Sequence, residues 1–228
     1  GLLWAAFAGK HDVALFFLGC VVAAALYGAY SVSNLTVTRT RPAPPNYSAG
    51  IFGNVSQATN PASFDFFNLI VRDSFDTLAN DIGLGTTGRA DVRIRNTLIT
   101  GNQSPGFVGV YTHSTSFGST YLQHVTIANN QSSGNTYAGV DARGDTVLTV
   151  EHSIIWGNTS ANPQGNCPLN VTNADRLRFV IATSVCGQQA GANIGVNSFN
   201  PRFVDAGFHI GADSPAFDVG MNPPTLPL

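Results

Sequence analysis

Apolar and polar residues alternate over short segments through most of the chain, and clusters of Gly, Asn, Ser and Thr separate these segments. Residues 147–150 (Val-Leu-Thr-Val) and the pair Val92 and Ile94 show the pattern clearly. Alternation with a period of two predicts strands that turn one face inward and the other outward. No segment from residue 31 onward shows the longer helical periodicity of leucine-rich or helix-pair repeats. The pattern therefore predicts an all-β protein.

The segments recur at a constant 28-residue step. Two sets of polar positions follow this step: Asn68, Asn96, His124 and His152, and then Asn102, Asn130 and Asn158. Asn34 heads a looser copy, separated from Asn68 by a longer interval. Self-similarity at about 20 to 50 residues is typical of a solenoid, in which each repeat buries its apolar face against its neighbours. Because each unit contains three candidate strands, the sequence predicts a parallel β-helix with three strands in each coil.

The first set of polar positions falls where the second strand of a coil meets the third. A sharp bend there favours a residue that tolerates left-handed backbone angles, as Asn does and His does to a lesser degree. Histidine is also a common metal ligand. We interpret His124 and His152 as bend residues and predict no metal site.

The second set has two interpretations. Equivalent residues in stacked coils lie about 4.8 Å apart, so Asn102, Asn130 and Asn158 would form a ladder of amide hydrogen bonds. Each of the three also begins an Asn-X-Ser/Thr triplet, the acceptor sequence for N-linked glycans. Four further asparagines begin such triplets, namely Asn34, Asn46, Asn54 and Asn170. Turn and ladder chemistry is the interpretation we favour for most of them, because a buried ladder asparagine could not carry a sugar.

The amino-acid composition argues against several classes of partner and cofactor. Charged residues make up 11% of the chain, where about 25% is usual, and Lys10 and Glu151 are the single Lys and Glu. A net charge of −2 leaves no basic stripe for a phosphate backbone, which argues against nucleic acid as a partner. Residues 83–88 have the glycine spacing of a dinucleotide-binding loop but open no helix, so we predict no cofactor.

The end of the chain carries the most specific motif. Residues 200–205 (Asn-Pro-Arg-Phe-Val-Asp), 208–210 (Phe-His-Ile) and 213–220 (Asp-Ser-Pro-Ala-Phe-Asp-Val-Gly) resemble a closing signature, NPxFVD…FHL…SPAIDAG. That signature belongs to secreted right-handed parallel β-helix proteins of the pectate-lyase-like superfamily, notably bacterial cell-surface proteins. The resemblance covers about residues 30 to 220. It implies an extracellular or cell-surface, bacterial location, but its members include polysaccharide lyases, hydrolases, adhesins and structural proteins.

The resemblance also implies a disulfide between Cys167 and Cys186, which flank the segment 168–185. Closing that loop would be worth about 3 kcal/mol and would require an oxidising compartment. Two buried thiols are the alternative. Cys20 is left without a partner.

The chain divides into three parts. Residues 1–33 are apolar and are expected to form an end cap or early coils, residues 34–220 the β-helix, and residues 221–228 a Pro-rich tail or linker. Residues 13–30 contain no charge, so a membrane helix is a second interpretation of this part. Coils buried in a parallel solenoid also read as continuous apolar runs.

Aligning the first strand of successive coils suggests a glycan-facing patch. One outward column contains Phe52, Gly83, Tyr111 and Asp141, and the next contains Asn54, Gly85, His113 and Arg143. Tyr111 would stack on a sugar, His113 and Asp141 would exchange protons, and Arg143 would hold a carboxylate.

The paired carboxylates of glycosidases are not evident, so no catalytic residue is assigned. The sequence therefore predicts a non-enzymatic structural or adhesive surface module, acting alone or as a subunit of an extracellular assembly. Its expected partners are a glycan or neighbouring surface proteins, with end-to-end self-association through exposed sheet edges. The alternatives are a polysaccharide lyase or glycoside hydrolase, and a membrane-associated subunit anchored through residues 13–30.

Overall fold

The computed structural model describes residues 29–38, 51–55, 62–77, 83–134, 136–161, 169–171, 176–182, 186–187, 194–197, 199–205 and 207–214. Within these ranges the chain forms sixteen strands and no helix, which confirms the all-β prediction. The strands are β1 Ala29–Ser33, β2 Thr36–Thr38, β3 Ile51–Val55, β4 Ala62–Phe67, β5 Ile70–Arg72, β6 Leu84–Gly88, β7 Ala90–Thr100, β8 Gln103–Ser104, β9 Val110–Ala128, β10 Gln131–Ser132, β11 Val140–Trp156, β12 Thr159–Ser160, β13 Leu169–Val171, β14 Arg176–Ala182, β15 Cys186–Gly187 and β16 Ile194–Asn197.

Every pairing between these strands is parallel, and the chain winds as a β-helix with about three complete coils within residues 83–160. Three faces repeat in each coil, and in β9 they correspond to residues 110–114, 119–123 and 125–128. We call them the first, second and third face. The prediction of three strands in a coil is therefore right in outline. A fourth ladder, made by β8, β10 and β12, adds two residues to each coil.

The 28-residue step holds on the second and third faces from β4 to β11, but not on the first face. Ile99, Ile127 and Ile155 are direct neighbours across β7, β9 and β11. On the first face the column instead runs through Phe52, Gly85, Tyr111 and Asp141, which are unequally spaced in sequence. The alignment that placed Gly83 in this column and Gly85 in the next is wrong, because the loops that enter the first face differ in length.

The bend between the second and third faces has the predicted backbone conformation. Asn68, Asn96, His124 and His152 have φ between 48° and 54°, and Asn34 has φ 55°. The bend therefore takes a single residue in the left-handed region, where Asn is tolerated. At this outer corner Asn68 donates to Asn34 and Asn96 to Asn68, while the two histidine rings stack with centroids 5.3 Å apart.

The interior is filled by the inward members of the alternating pattern. Side chains at equivalent positions stack in columns, and Ile94, Leu122 and Val150 are fully buried on the second face. Burying one such side chain stabilises the fold by about 1.5 to 3 kcal/mol. Because each column continues through the coils, the core depends on neighbouring coils rather than on any one of them.

Asn102, Asn130 and Asn158 form the buried ladder. Asn102 Nδ2 donates to Asn130 Oδ1 at 3.0 Å, and Asn130 Nδ2 donates to Asn158 Oδ1 at 2.9 Å. The same oxygens accept the backbone N–H groups of Asn102 and Asn130 at 3.1 Å. The three residues are 0%, 0% and 5% exposed, so none of them is open to glycosylation in the folded chain.

Several sequence predictions fall wholly or partly outside the described residues. Cys167 is not described, so the expected bond to Cys186 stays a prediction. Residues 1–28 and 221–228 are likewise outside, while the end of the proposed cap, β1, pairs with β4 and so belongs to the stack. Among the residues that the structure describes, no helix is long and apolar enough to span a membrane.

Candidate functional site

The first face brings the four predicted glycan-facing residues together. Tyr111 lies directly across from Asp141, and His113 lies across from Arg143, on neighbouring strands β9 and β11. They alternate with the inward residues Thr112 and Ala142, which are buried. The rings of Tyr111 and His113 are tilted, with centroids 6.3 Å apart.

Aromatic side chains from the preceding loops pack against this patch, in which Asp141 is buried while Tyr111, His113 and Arg143 stay partly exposed. The side chain of Asp141 is 1% exposed and is held by Arg143 in a forked ion pair, with Nε to Oδ1 at 3.0 Å and Nη2 to Oδ2 at 2.7 Å. The guanidinium lies 5.2 Å from the ring centroid of Phe107 and 5.6 Å from that of Tyr137. Phe107 in turn stacks on Tyr111, with centroids 3.9 Å apart.

This arrangement bears on the expected role of Arg143. Its Nε donates to Asp141 Oδ1 and its Nη2 lies beside Oδ2, so this edge of the guanidinium is engaged by Asp141, while the side chain stays 39% exposed. An ion pair combined with cation–π contacts stabilises the fold locally. Tyr111 and Arg143 therefore hold Phe107, and Arg143 holds Tyr137, against the first face.

The second face, which sequence reasoning did not single out, carries an open groove. Its outward side chains stand in columns fixed by the constant step, so that Arg93, Tyr121 and Thr149 follow one another on β7, β9 and β11. We call the shallow depression between them the second-face groove; its lining includes Arg93, Arg95, Ser119, Tyr121, Gln123 and Thr149. Val147, 42% exposed, lies at its margin. The alternation of Asp91, Arg93 and Arg95 with Val92 and Ile94 was the available signal.

The acidic groups on this face are occupied by neighbours. Arg95 Nη2 lies 2.8 Å and 3.1 Å from the two carboxylate oxygens of Asp65. Asp91 Oδ1 accepts from the backbone N–H of Ser119 at 3.1 Å and from its hydroxyl at 2.6 Å.

Tyr121 donates its hydroxyl hydrogen to Glu151 Oε2 at 2.7 Å. Partial burial, together with the hydrogen bond to Glu151 and its negative charge, raises the pKa of Tyr121 to about 12. Arg178 lies 3.8 Å from the other oxygen of Glu151. Tyr121 is therefore a neutral hydrogen-bond donor at physiological pH, and its hydroxyl is directed at Glu151 rather than at the solvent.

Arg93 differs from the other charged residues whose side chains are described on the second face. It is exposed, and it makes no hydrogen bond or ion pair with any residue that the structure describes. Asp65 lies directly across from it in the ladder, but Arg95 engages that carboxylate from a diagonal position. The groove thus contains one positive charge that its described surroundings leave unneutralised.

Within the described residues, no three His, Cys, Asp or Glu side chains converge as metal ligands would. Comparisons with protein-family models, with curated proteins and with solved structures find no match to this chain. The parallel β-helix is therefore established by the strand pairings themselves.

Proposed function

We propose that this chain is a secreted or cell-surface β-helix module with a structural or adhesive role, which binds carbohydrate along an exposed face without cleaving it. The resemblance of residues 200–205 and 213–220 to the closing signature of pectate-lyase-like surface proteins supports the location. An open groove on a rigid sheet supports the binding role.

The observation that carries the proposal is the state of the acidic side chains. Four acids take part in the ladders of the first and second faces: Asp65, Asp91, Asp141 and Glu151. None of them lies across from another acid, and each has a hydrogen-bond donor or an arginine as its neighbour. Glycoside hydrolysis by the usual mechanism needs two carboxylates that face one bond, and these four are arranged as structural pairs.

A combined binding and turnover experiment tests the proposal. The purified protein is offered to a glycan array, and every glycan that binds is then incubated with it and analysed for new reducing ends and for unsaturated products. We expect binding without depolymerisation. Cleavage that is lost in Asp141→Ala or Arg143→Ala, with the fold retained by circular dichroism, would establish the lyase or hydrolase alternative instead.

A further inference from the structure

We propose that His124 and His152, whose rings stack at the corner between the second and third faces, form a two-histidine site for one divalent transition-metal ion, namely Zn²⁺, Ni²⁺ or Cu²⁺. The sequence assigns both residues to the bend and predicts no metal site, whereas their arrangement in the structure also suits a pair of ligands. This corner lies apart from the predicted glycan-facing patch, and a metal there goes beyond the proposed function.

The bend conformation places the two imidazole rings side by side. The pairing of β9 with β11 brings Gln123 across from Glu151, so the residues that follow them, His124 and His152, are neighbours at the outer corner. Both have nearly the same φ, 52° and 49°, so their side chains leave the backbone in the same direction. The ring centroids are 5.3 Å apart and the ring planes differ by 19°. The ladder therefore holds two imidazoles at a fixed spacing.

This spacing fits a shared metal ion. Bonds of about 2.0 Å from one zinc ion to a nitrogen of each ring, at a tetrahedral angle, put the two ring centroids roughly 5 Å apart. The observed separation of 5.3 Å is close to that value. Rotations about the side-chain bonds would direct one nitrogen of each ring at the ion, without a shift of the backbone.

The bend alone does not require histidine. In the preceding coils Asn34, Asn68 and Asn96 occupy the same corner, and their side-chain amides are linked by hydrogen bonds. Asparagine tolerates positive φ at least as well as histidine does. The two coils that carry His124 and His152 therefore replace an amide ladder by a pair of nitrogen ligands.

The ring nitrogens of His124 are open to a ligand. The residue is exposed and makes no hydrogen bond or ion pair with any residue that the structure describes, and His152 is partly exposed. Neutral imidazole is a common ligand for these ions. Because the corner faces outward, water or groups of another molecule would fill the remaining coordination positions.

Titration calorimetry of the intact protein with Zn²⁺, Ni²⁺ and Cu²⁺ tests the site. Mg²⁺ is the control ion, because it prefers oxygen ligands. We expect at least one of the three transition-metal ions to bind, and Mg²⁺ not to bind. In the Cu²⁺-loaded protein, electron paramagnetic resonance should show coupling to a pair of imidazole nitrogens.

Substitutions identify the ligands. His124→Asn and His152→Asn each remove one imidazole and introduce the residue that forms the same bend at Asn96, and circular dichroism checks that the fold is retained. Each should weaken binding by about tenfold or more, since loss of even an indirect partner of a metal ligand costs about 10- to 100-fold. His209→Asn is the matched control, because it removes another exposed histidine, one that pairs with Asp205, and it should leave the affinity unchanged.

Failure of all three transition-metal ions to bind would overturn the inference, and so would unchanged affinity in both His124→Asn and His152→Asn. Weaker binding in only one of these variants would indicate a single histidine ligand rather than the pair, and would overturn it too. None of these outcomes depends on the glycan array, so the proposed function is tested separately.

Discussion

Replacing Asn130 by Ala is the most direct way to measure what the buried ladder contributes. The Asn130 side chain makes four hydrogen bonds: it accepts two from Asn102 and donates to Asn158 Oδ1 and to the backbone carbonyl of Ile99. The residue is 0% exposed. Water therefore cannot reach the groups that the substitution leaves behind.

The expected loss of stability follows from the hydrogen-bonding groups that lose their partner. In Asn130→Ala, the backbone N–H of Asn102 and one N–H of its side-chain amide lose their acceptor. A buried donor without a partner costs about 1 to 3 kcal/mol, so the two together lower the free energy of unfolding by about 2 to 6 kcal/mol. Since domains of this size lose about 2 to 4 °C in Tm for each kcal/mol, Tm should fall by at least about 4 °C.

Urea unfolding followed by circular dichroism measures the change, with Asn96→Gly as the matched control. Asn96 also belongs to an asparagine ladder and donates to Asn68 at 3.1 Å, but it is exposed. Its φ of 48° suits glycine without strain. We expect the control to change stability by less than about 1 kcal/mol. If Asn130→Ala and Asn96→Gly had equal effects, the buried amides would not be what holds neighbouring coils in register.

Three further predictions test other parts of the structure. Gly109→Ala would place a Cβ against the backbone carbonyl oxygen of Gly139, so it should lower the free energy of unfolding by about 1 to 3 kcal/mol. An unchanged midpoint in urea unfolding would contradict this close approach. Because the pKa of Tyr121 is raised to about 12, its bond to Glu151 stabilises the fold below about pH 10, and this contribution is lost as the pH rises to about 12. The difference in tyrosinate absorbance between wild type and Tyr121→Phe should therefore have its titration midpoint at about 12 rather than near 10. Asn34 is exposed, and its Nδ2 makes no hydrogen bond to a described residue. If the protein is produced in a host that glycosylates secreted proteins, peptide mapping should find Asn34 accessible to modification and the buried ladder asparagines unmodified.

The repeat and its bends were readable from the sequence because the second and third faces keep one interval from β4 to β11. Each repeat returns the chain to the same place, so equal spacing in sequence becomes direct pairing between strands. The residues that form the repeating pattern also fix the geometry of the coil. Asn96 and His124 take the positive φ of the bend, and Asn102 and Asn130 bond along the stack.

The first face was harder to predict, because its register and its exposure depend on loops. Unequal intervals replace the constant step, so Gly85 rather than Gly83 joins the column of Tyr111. Alternation correctly assigned Asp141 to the outward side. It could not show that Asp141 would be buried beside Arg143, or that Phe107 and Tyr137 would pack against that arginine, since these aromatics come from loops outside the strand pattern.

Turn length explains why the two faces of one coil differ in what they can bind. The loops that enter the first face carry Phe107 and Tyr137 back over it, where both rings lie against the guanidinium of Arg143. The second face ends at a single bend residue, such as Asn96 or His124, which has no length with which to cover its neighbours. On the second face, Arg93 and Val147 stay exposed while the ladders fix their spacing. On the first face, the ion pair of Asp141 and Arg143 lies against two aromatic rings.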